Sequence, residues 1–232
     1  MVSHVETSWE ASLRYFLGLI RLESTFHWKG DLPTFAAMKS VKQVCVYCAS
    51  STKVADKYFQ AADQLGDVLA DNGATLIYGG GAVGLMGRIA DRVLARGGHV
   101  VGVIPDFMKA VEWEHKGVSQ LEVVMDMHQR KKRFLEGTDA IVALAGGCGT
   151  LEELLEAITW KRLGLVTAPI IIVNTDGFYD PLLAMLDRCV EENFMRPEHR
   201  DIWQVIAHPN ELMDAIQSAP EWDETAIHRA KA

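Results

Sequence analysis

The chain has 232 residues, of which 49% are hydrophobic and 23% charged, enough for one well-filled α/β domain or for one domain with an appendage. Its formal net charge of −8 argues against extended nucleic-acid binding, which requires a basic face. No apolar stretch approaches the roughly 20 residues that span a bilayer, and the first residues lack the pattern of a signal peptide. Together with four cysteines, these features predict a cytoplasmic protein that binds neither nucleic acid nor membrane.

Residues 1–40 contain several aromatic side chains but no alternation of strand and helix patterns. We predict that they form an N-terminal extension that is partly helical, over about residues 8–23. We assign no chemistry to this extension. Residues 41–232 are predicted to form one Rossmann-like nucleotide-binding catalytic domain.

Strand and helix patterns alternate along that domain. Strands are predicted at 43–48, 74–78, 99–104, 121–125, 139–144, 169–174 and 202–206. Helices are predicted near 55–71, 84–97, 128–136, 150–164, 179–193 and 209–218. Continuous apolar runs such as Val100–Ile104 and Ile170–Val173 indicate a parallel sheet that is covered on both faces. The predicted fold is therefore α/β, a doubly wound and mainly parallel Rossmann-like sheet with helices on both faces, which binds ligands at the carboxyl ends of its strands.

Small and sulfur-containing residues follow the first predicted strand. Cys45 and Cys48 match the C-x-x-C spacing of redox proteins, but Cys45 lies inside the strand. We therefore predict that both are buried structural thiols. Ser50 and Ser51 come at the end of this strand, where their hydroxyl groups could bind a phosphate or a base, or could cap the next helix.

A first glycine-rich turn spans residues 78–87. Gly79, Gly81 and Gly84 satisfy G-x-G-x-x-G, and Asp106 lies beyond the next strand, where an NAD ribose ligand could sit. A dinucleotide oxidoreductase is therefore one alternative. Against it, the turn follows the second strand instead of the first. Glycines that serve only helix–sheet packing are a further explanation.

The densest positive charge of the chain runs from His128 to Arg133, after a predicted strand. Successive helical positions are rotated by about 100°, so only one or two of these cations can face a ligand. We predict that Arg130 does, because arginine binds phosphate in bidentate fashion and keeps its charge. Glu112 and its neighbours Glu114 and His115 lie in the loop before that strand, and their spacing alone assigns them no role.

The second glycine-rich turn, residues 145–153, reads Ala-Gly-Gly-Cys-Gly-Thr-Leu-Glu-Glu between a strand and a helix. Its glycines allow a ligand to approach the backbone closely, and Thr150 is predicted to cap the helix. A helix N-terminus favours an anion, so we expect a phosphate. Glu152 and Glu153 are expected in the first helical turn, which suggests chemistry beside the phosphate.

Together these segments resemble the LONELY GUY family of cytokinin-activating phosphoribohydrolases, also labelled possible lysine decarboxylases, over about residues 41–216. The family signature P-G-G-x-G-T-x-x-E is matched by Gly146, Gly147, Gly149, Thr150 and Glu153. Residues 48–51, 78–87 and 127–131 match further family motifs. Ala145 replaces the signature proline, and the pair Lys161-Arg162 is more basic than is usual in the family.

The resemblance implies hydrolysis of the N-glycosidic bond in an N6-modified adenosine 5′-monophosphate, without a metal or another cofactor. It implies that the catalytic residues are Glu153, Arg130 and Glu112. It implies that the substrate and its phosphate are bound by Ser50, Ser51, Gly80, Gly81, Met127, Lys131, Gly146, Gly147, Cys148, Gly149 and Thr150. The expected partners are this nucleoside 5′-monophosphate and further copies of the chain, in a homodimer or a larger homo-oligomer.

Three alternatives remain open at this point. One is a broader nucleosidase that acts on AMP or on pyrimidine nucleotides, and another is a non-catalytic carrier of the molybdenum cofactor or of a nucleotide. The third is the NAD oxidoreductase. The combination of Arg130 with Glu153 favours an enzyme, because binding alone does not need a carboxylate that faces the phosphate. A lysine decarboxylase would need pyridoxal phosphate and a Schiff-base lysine, and the motifs suggest neither.

Overall fold

One parallel sheet organises the computed structural model, which describes residues 39–109 and 113–229. The predicted N-terminal extension, up to residue 38, and Glu112 lie outside the described residues. The strands of the described ranges are β1 (Gln43–Tyr47), β2 (Thr75–Tyr78), β3 (Val100–Pro105), β4 (Gln120–Val124), β5 (Ala140–Ala143), β6 (Ile170–Val173) and β7 (Trp203–Ile206). Their order is β4-β3-β2-β1-β5-β6-β7, and every neighbouring pair is parallel. The predicted fold class is confirmed.

Helices connect the strands. They are α1 (Asp56–Asp71), α2 (Gly84–Ala95), α3 (Asp106–Lys109), α4 (Met127–Leu135), α5 (Cys148–Arg162), α6 (Asp180–Glu191) and α7 (Leu212–Ser218). Short 3-10 helices lie at Thr175–Gly177, Pro197–Ile202, Pro209–Glu211 and Glu224–Arg229. The six predicted helices are all present with ends shifted by at most three residues, whereas α3 was not predicted.

The two faces of the sheet are covered by separate apolar clusters, as β1 illustrates. Val44 and Val46 belong to the cluster that includes Leu65 of α1, whereas Cys45 and Tyr47 belong to the cluster that includes Leu154 of α5. This alternation follows from the period of two along a strand. Among the cysteines, Cys45 and Cys48 are free and buried, as predicted, and their structural role stays a prediction.

The order in which strands are added to the sheet reverses at β1, because β2 and β5 flank β1 on opposite sides. In open parallel sheets this reversal creates a crevice at the carboxyl ends of the two strands. Backbone hydrogen bonds hold the crevice beyond the strand ends, from Leu144 N to Tyr47 O at 2.9 Å and from Ala49 N to Ala145 O at 3.2 Å. The buried Tyr179 donates its hydroxyl to the Leu144 carbonyl at 2.8 Å.

The turn after β1 also packs against the start of α2. The amides of Leu85 and Met86 both donate to the Ala49 carbonyl, at 2.9 and 3.2 Å. Gly84 adopts a φ of +65°, and a Cβ there would lie only 2.3 Å from the carbonyl carbon of Ser50. Packing therefore requires glycine at position 84.

We predict that Gly84→Ala destabilises the protein by at least about 3 kcal/mol, because it adds a backbone clash to the cost of a positive φ. Gly97, at the other end of α2, provides a matched control, since its φ is +76° and no atom lies within 4 Å of an added Cβ. Gly97→Ala should cost only about 1 kcal/mol. Urea denaturation of both variants measures the difference, and equal losses of stability would contradict the assigned clash.

Candidate active site

A cavity of about 360 Å³ opens in the crevice at the carboxyl ends of β1 and β5. Its wall comes from the turn after β1, from Gly79 after β2, and from helices α2 to α5. The predicted site residues that it brings together are Ser50, Ser51, Arg130, Gly147, Cys148, Gly149, Thr150 and Glu153. Sequence reasoning thus located most of the cavity wall.

Helix α5 starts on this wall. It begins at Cys148, with Gly147 as the N-cap and without a side-chain capping bond. The prediction that Thr150 caps the helix is wrong, because Thr150 lies inside the first turn and is only 4% exposed. Within the described ranges, the amides of Cys148, Gly149 and Thr150 donate to no protein acceptor. These amides can therefore bind an anion in the cavity.

The glycines of this turn differ in what surrounds them. A Cβ at Gly146 would lie 2.1 Å from Thr150 Oγ1, so packing explains that glycine. A Cβ at Gly147 or Gly149 would meet no atom within 4 Å, and both residues line the cavity. Packing does not require glycine at these two positions. Because glycine has no side chain, however, both positions leave space for a ligand.

The two glutamates lie deeper in α5 than predicted. Because the helix begins at Cys148, its first turn contains no acidic residue, and the expectation that Glu152 and Glu153 belong to the first turn is wrong. Glu153 lines the cavity, whereas Glu152 pairs with Lys131 at 2.5 Å. The open amides at the start of α5 and the cavity carboxylate therefore lie in different turns of the helix.

The environment of Glu153 favours its neutral form. The pKa of Glu153 is raised from an ordinary value of 4.5 to about 7, chiefly by burial. The neighbouring Glu152 and Glu156 also raise it, whereas Arg130 and Lys131 lower it. Near neutral pH this carboxyl group thus populates both protonation states. Such a pKa is typical of groups that transfer protons or stabilise charge in active sites.

Arg130 lies in the cavity wall and is only 6% exposed. Its Nε donates to the Val103 carbonyl at 3.2 Å and its Nη2 to the Gly79 carbonyl at 3.0 Å. Burial lowers its pKa, but a guanidinium stays protonated at neutral pH. In the part of the chain that the structure describes, Arg130 forms no ion pair with a carboxylate, so its charge is available to a substrate.

The first glycine turn contributes less to the cavity than predicted. A Cβ at Gly79 would lie 2.3 Å from Arg130 Nη2, so a side chain at this position would displace the guanidinium group. Gly80 is buried against β3, and its carbonyl accepts a hydrogen bond from His115 N at 2.8 Å. Gly81 forms an isolated bridge with Glu114. Neither Gly80 nor Gly81 lines the main cavity, and their contact with phosphate stays a prediction.

A smaller, mainly apolar cavity of about 180 Å³ adjoins the main one. The two cavities share four lining residues: Ser50, Gly79, Met86 and Met108. The remaining wall of the smaller cavity is formed by Gly81, Val83, Ile104 and Trp113. Sequence reasoning missed Met108, since this apolar side chain belongs to no motif. Gly79 and Met86 lie in the recognised turn 78–87, but neither was predicted to contact the substrate.

Besides Gly80 and Gly81, three predicted site residues do not line the main cavity, and a fourth is not among the described residues. Met127 touches Arg130 through its sulfur atom at 3.8 Å, and Gly146 packs under Thr150. Lys131 is paired with Glu152 and Glu156 and does not line the cavity. Glu112 lies outside the described residues.

The basic pair near the end of α5 does not reach the cavity either. Lys161 is 1% exposed, and its ammonium group lies 5.9 Å from the centre of the Trp222 ring. Burial lowers the pKa of Lys161 to about 8. Neither Lys161 nor Arg162 lines the main cavity.

Other kinds of site find little support in residues 39–109 and 113–229. These ranges contain no group of three or more His, Cys, Asp or Glu side chains that could hold a metal ion. None of their helices is long and apolar enough to cross a bilayer. Asp106, the ribose ligand of the NAD alternative, is exposed at the start of α3 and does not line the cavity.

Comparison with known proteins agrees with these motifs. A family model described as possible lysine decarboxylase matches residues 86–216. A protein of Oryza sativa subsp. japonica, named as a probable cytokinin riboside 5′-monophosphate phosphoribohydrolase, is 42% identical over 190 residues, which cover 82% of this chain and 78% of that protein. A cytokinin riboside 5′-monophosphate phosphoribohydrolase of Arabidopsis thaliana is 43% identical over 186 residues, which cover 79% and 85%.

Solved structures support the fold. The molybdenum cofactor binding protein from Rippkaea orientalis superposes with a TM-score of 0.58 at 20% identity, covering 77% of this chain and 96% of that chain. At this identity the likeness concerns the fold alone. The family model and the plant relatives identify the family itself: the chain belongs to the LONELY GUY family, whose model carries the description possible lysine decarboxylase.

Proposed function

We propose that this protein hydrolyses the N-glycosidic bond of cytokinin riboside 5′-monophosphates, which are N6-modified adenosine 5′-monophosphates, and releases the free base and ribose 5-phosphate. The names of the plant relatives support this activity. The observation that carries the proposal is Glu153, a carboxyl group with a pKa of about 7 in the same cavity as Arg130 and the open amides of α5.

The 5′-phosphate would bind at the start of α5. The free amides of Cys148, Gly149 and Thr150 and the dipole of this 15-residue helix favour an anion there. The exposed side chains of Ser50 and Ser51 lie on the same cavity wall and can donate further hydrogen bonds. The phosphate thereby places the ribose next to Glu153, one helical turn further along.

The transition state of this reaction resembles an oxocarbenium ion, with positive charge on the ribose. The bond between C1′ and the base breaks, the oxygen of water bonds to C1′, and the two protons of water end on the ribose hydroxyl and the departing base. Ionised Glu153 would stabilise the positive charge and orient the water. Arg130 would anchor the substrate or assist departure of the base, with Glu112 in support.

The adjoining apolar cavity suits an apolar substituent on the base. Val83 and Trp113 in its wall are exposed large apolar side chains, which an apolar ligand would cover favourably. Because this cavity shares four residues with the main one, one nucleotide can occupy both. This continuity favours an N6-modified substrate over unmodified AMP or a pyrimidine nucleotide.

We further propose a cytoplasmic homo-oligomer, with at least two copies of the chain. Free Cys148 and Cys189, outside the buried pair, suit a reducing compartment. Exposed large apolar side chains such as Leu165, Met185 and Phe194 are of the kind that a contact between copies covers.

Glu153→Gln should lower base release from isopentenyladenosine monophosphate by about 100-fold or more, because an amide cannot stabilise the cationic transition state. Nucleotide binding should persist. Chromatography of free base measures turnover, and calorimetry measures binding. As a control, Glu191→Gln changes an exposed carboxylate on α6 and should keep full activity. Undiminished turnover by Glu153→Gln would contradict the mechanism, and absence of base from isopentenyladenosine monophosphate, AMP and CMP in the unmodified protein would favour a carrier.

The raised pKa of Glu153 also predicts how stability depends on pH. Its folded pKa of about 7 exceeds the ordinary 4.5, so its contribution to stability is complete below pH 4.5 and is lost as the pH rises through 7. Glu153→Gln should therefore stabilise the protein at pH 8 by about 3 kcal/mol, and at pH 5 by no more than about 1 kcal/mol. Thermal denaturation at both values tests this, and a gain that does not depend on pH would refute the assigned cause. In the unmodified enzyme, kcat/KM should rise with pH around 7.

Trp113→Ala removes part of the apolar wall beside the base. We expect the preference for isopentenyladenosine monophosphate over AMP, measured as the ratio of kcat/KM values, to fall roughly tenfold. As a control, Ile227→Ala removes another exposed large apolar side chain, in the 3-10 helix Glu224–Arg229, and should leave the ratio unchanged. A ratio that responds to neither variant would show that the substituent binds elsewhere.

A further inference from the structure

Lys131 connects α4 to α5 outside the cavity. Its Nζ lies 2.5 Å from an oxygen of Glu152 and 3.1 Å from an oxygen of Glu156. Its side chain is only 13% exposed. One partly buried ammonium group therefore forms ion pairs with two carboxylates that are one turn apart on α5.

The charges alternate between the inside and the outside of the site. Arg130 and Lys131 are consecutive on α4, and Glu152 and Glu153 are consecutive on α5, so that a rotation of about 100° separates the members of each pair. Arg130 and Glu153 line the cavity, whereas Lys131 and Glu152 do not. Each helix thus contributes one charge to the cavity and the adjacent charge to the outer contact.

We propose that Lys131 is a positioning residue, which holds Glu152 and Glu156 on the outer side of α5 and thereby favours the ionised form of Glu153 that acts in the reaction. The inference rests on the proposed function, in which ionised Glu153 acts on the ribose. It reassigns Lys131, which sequence resemblance placed among the phosphate ligands.

The groups that face Glu153 support this assignment. Arg130 and Lys131 on α4 lower the pKa of Glu153, and Glu152 and Glu156 on its own helix raise it. On β1, burial keeps the pKa values of Cys45, Tyr47 and Cys48 well above their ordinary values, so these three groups are neutral. Loss of Lys131 would remove one favourable charge and leave two carboxylates uncompensated beside Glu153.

The same contacts argue against a direct role in phosphate binding. The ammonium group of Lys131 already has two carboxylate partners, and Lys131 is not part of the cavity wall. A phosphate would have to compete with both carboxylates for it. The open amides at the start of α5 offer the phosphate a site without that competition.

The pH dependence of kcat/KM tests the proposal. Lys131→Met should move the acid limb to higher pH by about one pKa unit, a roughly tenfold loss at pH 6 that disappears at high pH, with KM at high pH unchanged. Lys131→Arg should restore the profile. Glu156→Gln, which removes one carboxylate, should move the limb to lower pH. Lys132→Met is the matched control, because Lys132 is the next residue of α4, is 70% exposed and pairs with Glu136, and it should change nothing.

A second measurement needs no substrate. The pKa of Glu153, followed by carbon-13 NMR of its carboxyl group in the full chain, should rise in Lys131→Met and fall in Glu156→Gln. A higher KM with an unmoved acid limb would overturn the proposal in favour of a phosphate contact. An unmoved pKa in both variants would reduce Lys131 to a structural role. If no nucleotide is hydrolysed although the pKa values move as expected, the proposed function fails while the control of Glu153 by Lys131 stands.

Discussion

The backbone of Ala49 joins the three turns on which the cavity depends. Its amide donates to Ala145 in the turn before α5, and its carbonyl accepts from Leu85 and Met86 at the start of α2. The reversal of strand order at β1 places these turns side by side. The left-handed Gly84 packed on Ser50 shows how closely these turns approach one another.

The two buried ionisable groups of the cavity, Glu153 and Arg130, destabilise the fold but suit the proposed reaction. A carboxyl group with a pKa near 7 resists ionisation because it is buried, and Arg130 beside it is a guanidinium without a carboxylate partner among the described residues. Either charge alone would be costly. Together they suit the doubly charged phosphate and the cationic transition state of the proposed reaction, and backbone carbonyls from Gly79 and Val103 hold Arg130 in place.

Periodicity predicted the strands and most helices because apolar runs in a buried parallel sheet leave few alternatives. The start of α5 was placed two residues late, since threonine is a good N-cap and glycine a poor helix former, yet the helix begins directly after Gly147. The partners of Lys131 could not be predicted either. Its position next to Arg130 in the chain suggested that Lys131 lines the cavity. In the structure, Lys131 instead contacts Glu152 of α5. The short α3 has too few residues for a periodic pattern.

The two glycine turns look alike in sequence and differ in what their helices offer a ligand. At α2, the first amides are occupied by Ala49, and Gly84 is needed for packing. At α5, the first amides have no protein acceptor in the described ranges, and Gly147 and Gly149 face open space. A dinucleotide fingerprint would present its pyrophosphate to the helix that follows G-x-G-x-x-G, which is α2. The available helix start is instead α5, and this arrangement suits a single phosphate group next to Glu153.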